Sequence, residues 1–224
     1  MRPIVKNLLI VLIVIASLAA LYGAAVGVSF LVIRGSRPIE DGELKARMSE
    51  LIPAAEEVNE IVWGAGLPAD PAAGPALASV TGAQYRVVSP EARFQNIDDL
   101  LAFISGVYSE PFVREHISYI VYKGDEGLIE EMKPRYKAMK VIGGDGSAVE
   151  KLGVDITNKG FTLGAVIDPA SVRFTRRVPE WNGLWWSADR IVVTVSETYD
   201  GVTSDREISM REKDGVWYLD EATY

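Results

Sequence analysis

Residues 191–219 read IVVTVSETYDGVTSDREISMREKDGVWYL, in which three apolar–polar alternations are separated by two Asp-Gly pairs. Alternation with a period of two is typical of strands that bury one face. The Asp-Gly pairs, which begin at Asp200 and Asp214, favour two-residue hairpin turns because such turns need a positive φ at both positions. The stretch therefore predicts an antiparallel meander, and the alternation in residues 172–178 predicts a further strand of the same sheet.

An amphipathic helix is predicted upstream, because apolar residues recur there at spacings of three and four. Asp41 is placed to cap its N-terminus, and Gly64 is placed to end it. Pro53 falls inside the apolar stripe, so we expect it to kink or split the helix. The stripe consists of Leu44, Met48, Leu51, Ala55, Val58 and Val62.

Two shorter helices are expected between this helix and the meander. Asn96 is followed three residues later by Asp99, which is typical of a capping box at a helix start. Ser109 is placed to cap the second short helix, with Pro111 in its first turn. Helices first and a meander last predict an α+β fold, in which the helices pack on one face of a curved antiparallel sheet.

The N-terminal part contains 26 consecutive residues, 8–33, without a charge. A helix of that length extends about 39 Å, whereas the hydrocarbon core of a bilayer is about 30 Å thick. A cleaved signal peptide is the alternative, with a candidate cleavage site around Ala25. Its apolar region should be shorter than this one, so the pattern favours an uncleaved transmembrane signal anchor.

The chain is accordingly divided into a basic segment 1–7, the anchor 8–33, a juxtamembrane linker 34–42 and a domain 43–224. Basic residues lie on both sides of the anchor and do not decide its orientation. We expect a single-pass protein of the cell membrane with its C-terminal domain outside. Weak pairing of two such helices through a ridge of small residues is a further hypothesis. That ridge consists of Ala19, Gly23 and Gly27.

The charge and the residue inventory narrow the range of partners. The chain carries 23 basic and 31 acidic residues, and four of the basic residues and none of the acidic ones precede residue 38, which leaves −12 on the remainder. Such a domain repels phosphate backbones, so we expect no nucleic-acid partner and favour a basic protein or bound cations. There is no cysteine, which excludes disulfides, thiolate metal sites and a cysteine-linked lipid.

The sequence shows no recognisable set of catalytic residues. His116 is the only histidine, so sites that require two histidines are excluded, and a Ser-His-Asp triad would have to use it. We expect His116 to be structural or simply exposed, and we predict no cofactor, no metal and no enzymatic activity.

A cluster of three tryptophans is the candidate partner-binding site. Trp181, Trp185 and Trp186 surround an Asn-Gly pair. Neighbouring residues on a strand point to opposite faces, so Trp185 and Trp186 cannot both enter one core. An exposed tryptophan often anchors a protein or a sugar. The alternative is that one ring lies in the core and the other covers a sheet edge.

Four stretches carry a resemblance to a known group of proteins. They are residues 59–68 (NEIVWGAGLP), residues 97–110, the triplet 134–136 (PRY) and residues 215–224 (GVWYLDEATY). The chain resembles extracytoplasmic proteins of Gram-positive bacteria that are similar to the inhibitors of cell-separation DL-endopeptidases. The resemblance implies a cystatin-like or nuclear-transport-factor-like roll. No inhibitory residue is transferred, and the tryptophan-rich segment after Val178 departs from the pattern.

Two functions follow as expectations. The first is a membrane-anchored, non-catalytic binding or regulatory domain in the cell envelope that restrains a basic cell-wall hydrolase. The alternative is a small-ligand or enzymatic pocket in the concave face of the sheet, which would rest on analogy between folds. A deep pocket with convergent polar groups would favour the alternative, and a filled interior would favour the first function.

Overall fold

The computed structural model describes residues 3–34, 39–73, 77–78, 82–123, 133–142, 146–162, 164–184 and 186–223. The helices are α1 (Pro3–Arg34), α2 (Asp41–Val62), α3 (Ile97–Val107) and α4 (Glu110–Phe112), the last followed by a π-helical turn (Val113–Ile117). The strands are β1 (Leu77–Ala78), β2 (Gln84–Val87), β3 (Val121–Tyr122), β4 (Tyr136–Ile142), β5 (Ala148–Asp155), β6 (Ala165–Trp181), β7 (Trp186–Tyr199), β8 (Val202–Lys213) and β9 (Val216–Leu219). The protein is therefore α+β, with an apolar N-terminal helix.

The C-terminal meander is confirmed. Strands β6, β7, β8 and β9 follow one another in a four-stranded antiparallel sheet. Both residues of each predicted turn have a positive φ, at 49° and 74° for Asp200 and Gly201 and at 54° and 80° for Asp214 and Gly215. The strand predicted at residues 172–178 is much longer than expected. It spans 17 residues and has irregular register against β7, which lets it bend along the sheet.

A second sheet accompanies the meander, so the prediction of a single sheet is incomplete. It has five strands in the order β1-β2-β5-β4-β3, antiparallel throughout except for the parallel pair β3–β4. Its central strand β5 ends in four consecutive buried residues, 152–155. A buried run of this kind lacks the period-two signal that revealed the meander.

Helix α2 covers the inner face of the meander, and the two elements form the main core. Helix residues Leu44, Met48 and Ala55 are 0% exposed. The sheet contributes the alternating residues that the sequence assigned to one face, and they belong to the same cluster as α2. These sheet residues are Ile191, Val193, Val195, Ile208, Met210, Trp217 and Leu219.

The N-terminal end and the middle of α2 differ from expectation. Glu40 occupies the N-cap position, so Asp41 is the first helical residue and not the cap. The Asp41 carboxylate instead accepts the N–H of Phe174 on β6, at 3.3 Å. Pro53 does not split the helix, because buried residues on both sides of it, Leu51 and Ala55, hold it against the core. In the predicted linker 34–42, residue 34 belongs to α1 and residues 41 and 42 belong to α2. Of the linker residues that the structure describes, only 39 and 40 are not helical.

The two short helices begin as predicted. Asn96 Oδ1 accepts the N–H of Asp99 at 2.8 Å, and Asn96 Nδ2 donates to the Asp99 carboxylate at 2.6 Å. Ser109 Oγ accepts the N–H of Phe112 at 3.3 Å, with Pro111 in the first turn. The Ser109 cap fixes the point at which the chain turns from α3 into α4, and that corner forms one wall of the cleft described below.

Candidate functional site

Three stretches of the resemblance, 59–68, 97–110 and 215–224, meet in a buried polar cluster next to the main core. Tyr108 Oη donates to Asn59 Oδ1 at 2.7 Å, and Asn59 Nδ2 donates to Thr223 Oγ1 at 3.0 Å. All three residues are at most 4% exposed. Because their polar atoms satisfy one another, the cluster joins α2, the end of α3 and the C-terminal segment. Its role is to hold these elements together.

The remaining stretch, 134–136, meets the stretch 59–68 at the C-terminal end of α2. Arg135 is 2% exposed, and its Nη1 donates to the Val62 carbonyl at 3.1 Å. Tyr136 Oη donates to the Ile61 carbonyl at 2.9 Å and accepts the N–H of Leu67 at 2.8 Å. A cation at this position complements the partial negative charge of a helix C-terminus. The Pro-Arg-Tyr triplet therefore binds α2 to the five-stranded sheet.

A cleft of about 920 Å³ opens between the α3–α4 corner and the β8–β9 hairpin. The sequence analysis did not predict this cleft, because its walls come from segments about a hundred residues apart. Its lining combines aromatic and apolar side chains with charged ones. Among the lining residues are Tyr108, Pro111, Val113, Arg211, Lys213 and Tyr218.

Three of the charges that line the cleft, Glu110, Lys213 and Arg211, are paired within the protein. Lys213 Nζ lies 2.8 Å from the Glu110 carboxylate, and this hydrogen bond lowers the pKa of Glu110. Arg211 contacts Glu180 at 2.5 and 3.0 Å, which lowers the pKa of Glu180 and raises that of Arg211. Arg211 also contacts Asp220 at 3.2 Å. Each charge named here therefore has an oppositely charged neighbour within the protein.

The hydroxyl and imidazole groups near the cleft show no catalytic arrangement. Ser109 Oγ donates to the Asp220 carboxylate, which Arg211 and Arg190 also contact. His116 lies exposed on the π-helical turn, with its ring 4.8 Å from that of Phe112. Over the described ranges, no group of three or more His, Asp or Glu side chains is arranged to hold a metal ion.

The tryptophan cluster lies at the tip of the β6–β7 hairpin. Trp181 is 47% exposed, and Trp186 is partly buried with its ring centroid 5.5 Å from that of Trp181. Neither ring belongs to a core cluster, so the alternative of one core ring does not hold for these two residues. Trp185 lies outside the described residues. Partner binding by the three rings stays a prediction.

The hairpin tip contacts the apolar helix α1, which the sequence reasoning missed. The Phe30 ring lies edge-on to that of Trp186, with centroids 5.1 Å apart, and Tyr22 Oη donates to the Leu184 carbonyl. A sequence signal existed: the hairpin tip is uncharged and aromatic, as are segments at membrane interfaces. This composition could be interpreted only once the structure placed the tip beside the apolar helix.

The small-residue ridge of α1 points away from this contact. A side chain at Gly23 or Gly27 would have nothing within 4 Å, whereas Phe30 is partly buried and Ile33 is 8% exposed. The domain therefore leaves the ridge through Ala19, Gly23 and Gly27 uncovered. Helix pairing through it stays a prediction.

The class of the protein follows from the fold and from α1. Residues Val11–Ile33 form one helix long and apolar enough to cross a membrane, followed by an α+β domain with two sheets. No protein-family model matches the chain, and no curated protein matches it either. The proposed role therefore rests on the geometry of the molecule and on the resemblance.

Proposed function

We propose that this protein is a single-pass membrane protein whose outer domain binds and regulates another protein of the cell envelope, without catalysis of its own. The observation that supports this most is the cleft between α3–α4 and the β8–β9 hairpin. It is open, Tyr218 lies in its wall, and its charged groups Glu110, Lys213 and Arg211 already pair within the protein. Enzyme sites usually hold a polar group whose pKa and geometry suit proton transfer to a substrate, and these paired groups do not offer one.

The composition of the cleft suits a protein surface. Tyr and Arg are enriched where proteins recognise each other, and Tyr218 and Arg211 line this cleft. The Glu110–Lys213 pair at its rim is exposed, so both side chains can exchange partners when another protein arrives. Helix α2 already fills the inner face of the meander, which weighs against a ligand pocket in the concave sheet.

The charge of the domain favours a basic partner. With −12 on residues 38–224, long-range attraction would bring a basic protein to the domain and repel an acidic one. The resemblance to inhibitors of DL-endopeptidases offers a basic cell-wall hydrolase as the specific candidate. Anchoring by α1 would hold such a partner close to the membrane.

The location of the domain can be tested first, because the chain has no cysteine of its own. Ser204 is exposed on β8, so Ser204→Cys creates a single reactive thiol. In intact cells, a membrane-impermeant maleimide should label this thiol as fully as it does after lysis. Labelling that requires lysis would place the domain inside and contradict the proposal.

The cleft is tested by filling it. Val113→Arg adds a large side chain to the cleft wall, and Ser204→Arg adds the same side chain at an exposed position outside the cleft lining. Membranes that contain the full-length protein should slow wall digestion by a purified basic hydrolase of the same envelope. We expect Val113→Arg to abolish this effect and Ser204→Arg to retain it. Equal behaviour of the two variants would remove the cleft from the proposal.

A further inference from the structure

The tip of the β6–β7 hairpin has an unusual composition for an exposed turn. Its last strand pair is Trp181 with Trp186, and residues 181–188 (WNGLWWSA) carry no charge. Leu184 is 58% exposed and Trp181 is 47% exposed. Such exposed apolar tips mark sites of contact with another apolar phase, either a protein or a membrane.

The position of the tip identifies the apolar phase. It contacts α1 at two places, through Leu184 on Tyr22 and through Trp186 on Phe30. These two helix residues are eight positions apart, which is about 12 Å along the helix axis. The hairpin therefore runs beside the apolar helix over more than two turns.

Both contacts fall within the uncharged run 8–33. A bilayer core of about 30 Å needs about 20 of these 26 residues. If the core begins at Leu8, it ends near Gly27, which places Phe30 at the interface and Tyr22 about 8 Å inside the core boundary. A tip beside Tyr22 then cannot lie in bulk water while α1 spans the membrane.

The chemistry of the tip matches that depth. Tryptophan and tyrosine rings concentrate at membrane interfaces, where an apolar body and a polar N–H or O–H are both satisfied. The Tyr22 hydroxyl donates to the Leu184 carbonyl, so this backbone acceptor has a partner where water is scarce. Glu180, immediately before the tip, is paired with Arg211 and Arg190 and carries no bare charge towards the lipid.

We propose that the β6–β7 hairpin tip, residues 181–184 and 186–188, inserts through the headgroup region into the outer part of the hydrocarbon core of the same bilayer that α1 spans, so that the membrane holds the domain at two points. This inference rests on the membrane-spanning role of α1 in the proposed function. It assigns Trp181 and Trp186 to lipid rather than to a protein partner. It also fixes the orientation of the domain, because a second attachment point prevents free rotation about the linker.

The test uses full-length protein in liposomes of phosphatidylcholine and phosphatidylglycerol. Leu184→Cys and the control Ser204→Cys each carry a single environment-sensitive fluorophore on the introduced thiol. The control lies near the opposite end of the sheet, since β7 is 14 residues long and extends roughly 43 Å. We expect aqueous iodide to quench the label at residue 184 about fivefold less than the label at residue 204, and shallow spin-labelled lipid to quench only the former.

Other outcomes separate the two proposals. If iodide quenches both labels equally while the liposomes still carry the protein in flotation, the hairpin inference is overturned and the anchor stands. If the label at residue 184 is protected from both iodide and spin-labelled lipid, a protein surface covers the tip and the inference is also overturned. If the protein does not float with the liposomes, both proposals fail. A label on a second variant, Trp181→Cys, must show the same quenching pattern as the label at residue 184. This agreement guards against a local disturbance by one substitution.

Discussion

The Arg135 guanidinium occupies the space into which a side chain at Gly66 would point. A Cβ atom built on Gly66 would lie 2.8 Å from Cζ of Arg135, and the backbone of Gly66 has a φ of 82°. The N–H of Gly66 donates to the Glu60 carbonyl at 2.9 Å, close to where Arg135 donates to the Val62 carbonyl. The glycine and the arginine thus close the C-terminal end of α2 together.

Gly66→Ala should destabilise the protein by about 2–3 kcal/mol, because it combines a left-handed backbone with a steric conflict. Gly201→Ala is the matched control: its φ is 74°, but a Cβ there meets nothing within 4 Å, so only the backbone cost of about 1 kcal/mol applies. Denaturant melts of the full-length protein in detergent measure both. Equal losses would mean that Arg135 moves aside without cost.

A double-mutant cycle isolates the conflict between the two residues. Arg135→Met alone should cost about 2–4 kcal/mol, since it removes a buried hydrogen bond to the end of α2. In the Gly66→Ala background, Arg135→Met should cost at least about 0.5 kcal/mol less than it does alone, because removal of the guanidinium leaves space for the alanine side chain. Additive effects would show that the steric contact is unimportant.

Trp217→Ala should cost about 3–5 kcal/mol, because the ring is 5% exposed in the main core. Trp181→Ala, at a ring that is 47% exposed, should cost less than about 1 kcal/mol. Trp186 is not a suitable exposed control, because its ring packs on Phe30. The same melts measure both variants, and a larger loss for Trp181→Ala would reverse this assignment of core and surface.

The features that could be predicted from sequence are those that neighbouring residues encode. The Asp-Gly turn at Asp214 and the alternation around Met210 define a hairpin locally, and the capping box at Asn96 defines a helix start. The Tyr22–Leu184 contact joins residues 162 positions apart, and the Lys213–Glu110 pair joins residues 103 positions apart. No local pattern reports such pairs, so neither the cleft nor the place of the tryptophans was predicted.

Alkaline pH should weaken the protein through Tyr85. This side chain is 1% exposed, and burial, followed by the charge of Asp155, raises its pKa to about 12. An unfolded tyrosine has a pKa of about 10. The contribution of the neutral Tyr85 side chain to the free energy of unfolding is therefore complete below that pH and is lost as the pH rises towards 12. Tyr85→Phe should therefore show a flatter decline in unfolding free energy over this range than the unmodified protein does.

A comparison of Tyr85→Phe with the unmodified protein at neutral pH provides the control for this prediction. Its hydroxyl donates to the Pro134 carbonyl at 2.6 Å, so Tyr85→Phe should lose about 1 kcal/mol there. Denaturant melts at several pH values separate this constant loss from the alkaline effect. Parallel curves for the two proteins would show that Tyr85 does not cause the alkaline decline.

Acid pH should weaken the protein through Glu180, which precedes the hairpin tip. The hydrogen bond from Arg211 is the main cause of its lowered pKa, and Arg190 adds to it at 3.4 Å. Because the folded pKa is depressed, the stabilisation is present above the ordinary carboxyl value of about 4.3 and is lost as the pH falls through the folded value.

Glu180→Gln should therefore cost about 1 kcal/mol at neutral pH and should flatten the decline in unfolding free energy below about pH 4.3. Glu207 provides the matched control, because Arg176 also lowers its pKa through hydrogen bonds of 2.6 and 2.8 Å. Its side chain is 51% exposed, against 31% for Glu180, so water screens the pair and Glu207→Gln should leave the acid decline almost unchanged. Denaturant melts of the two variants between neutral and acid pH measure the difference. If the two substitutions flatten the curve equally, partial burial beside Arg211 does not set the acid sensitivity of this hairpin.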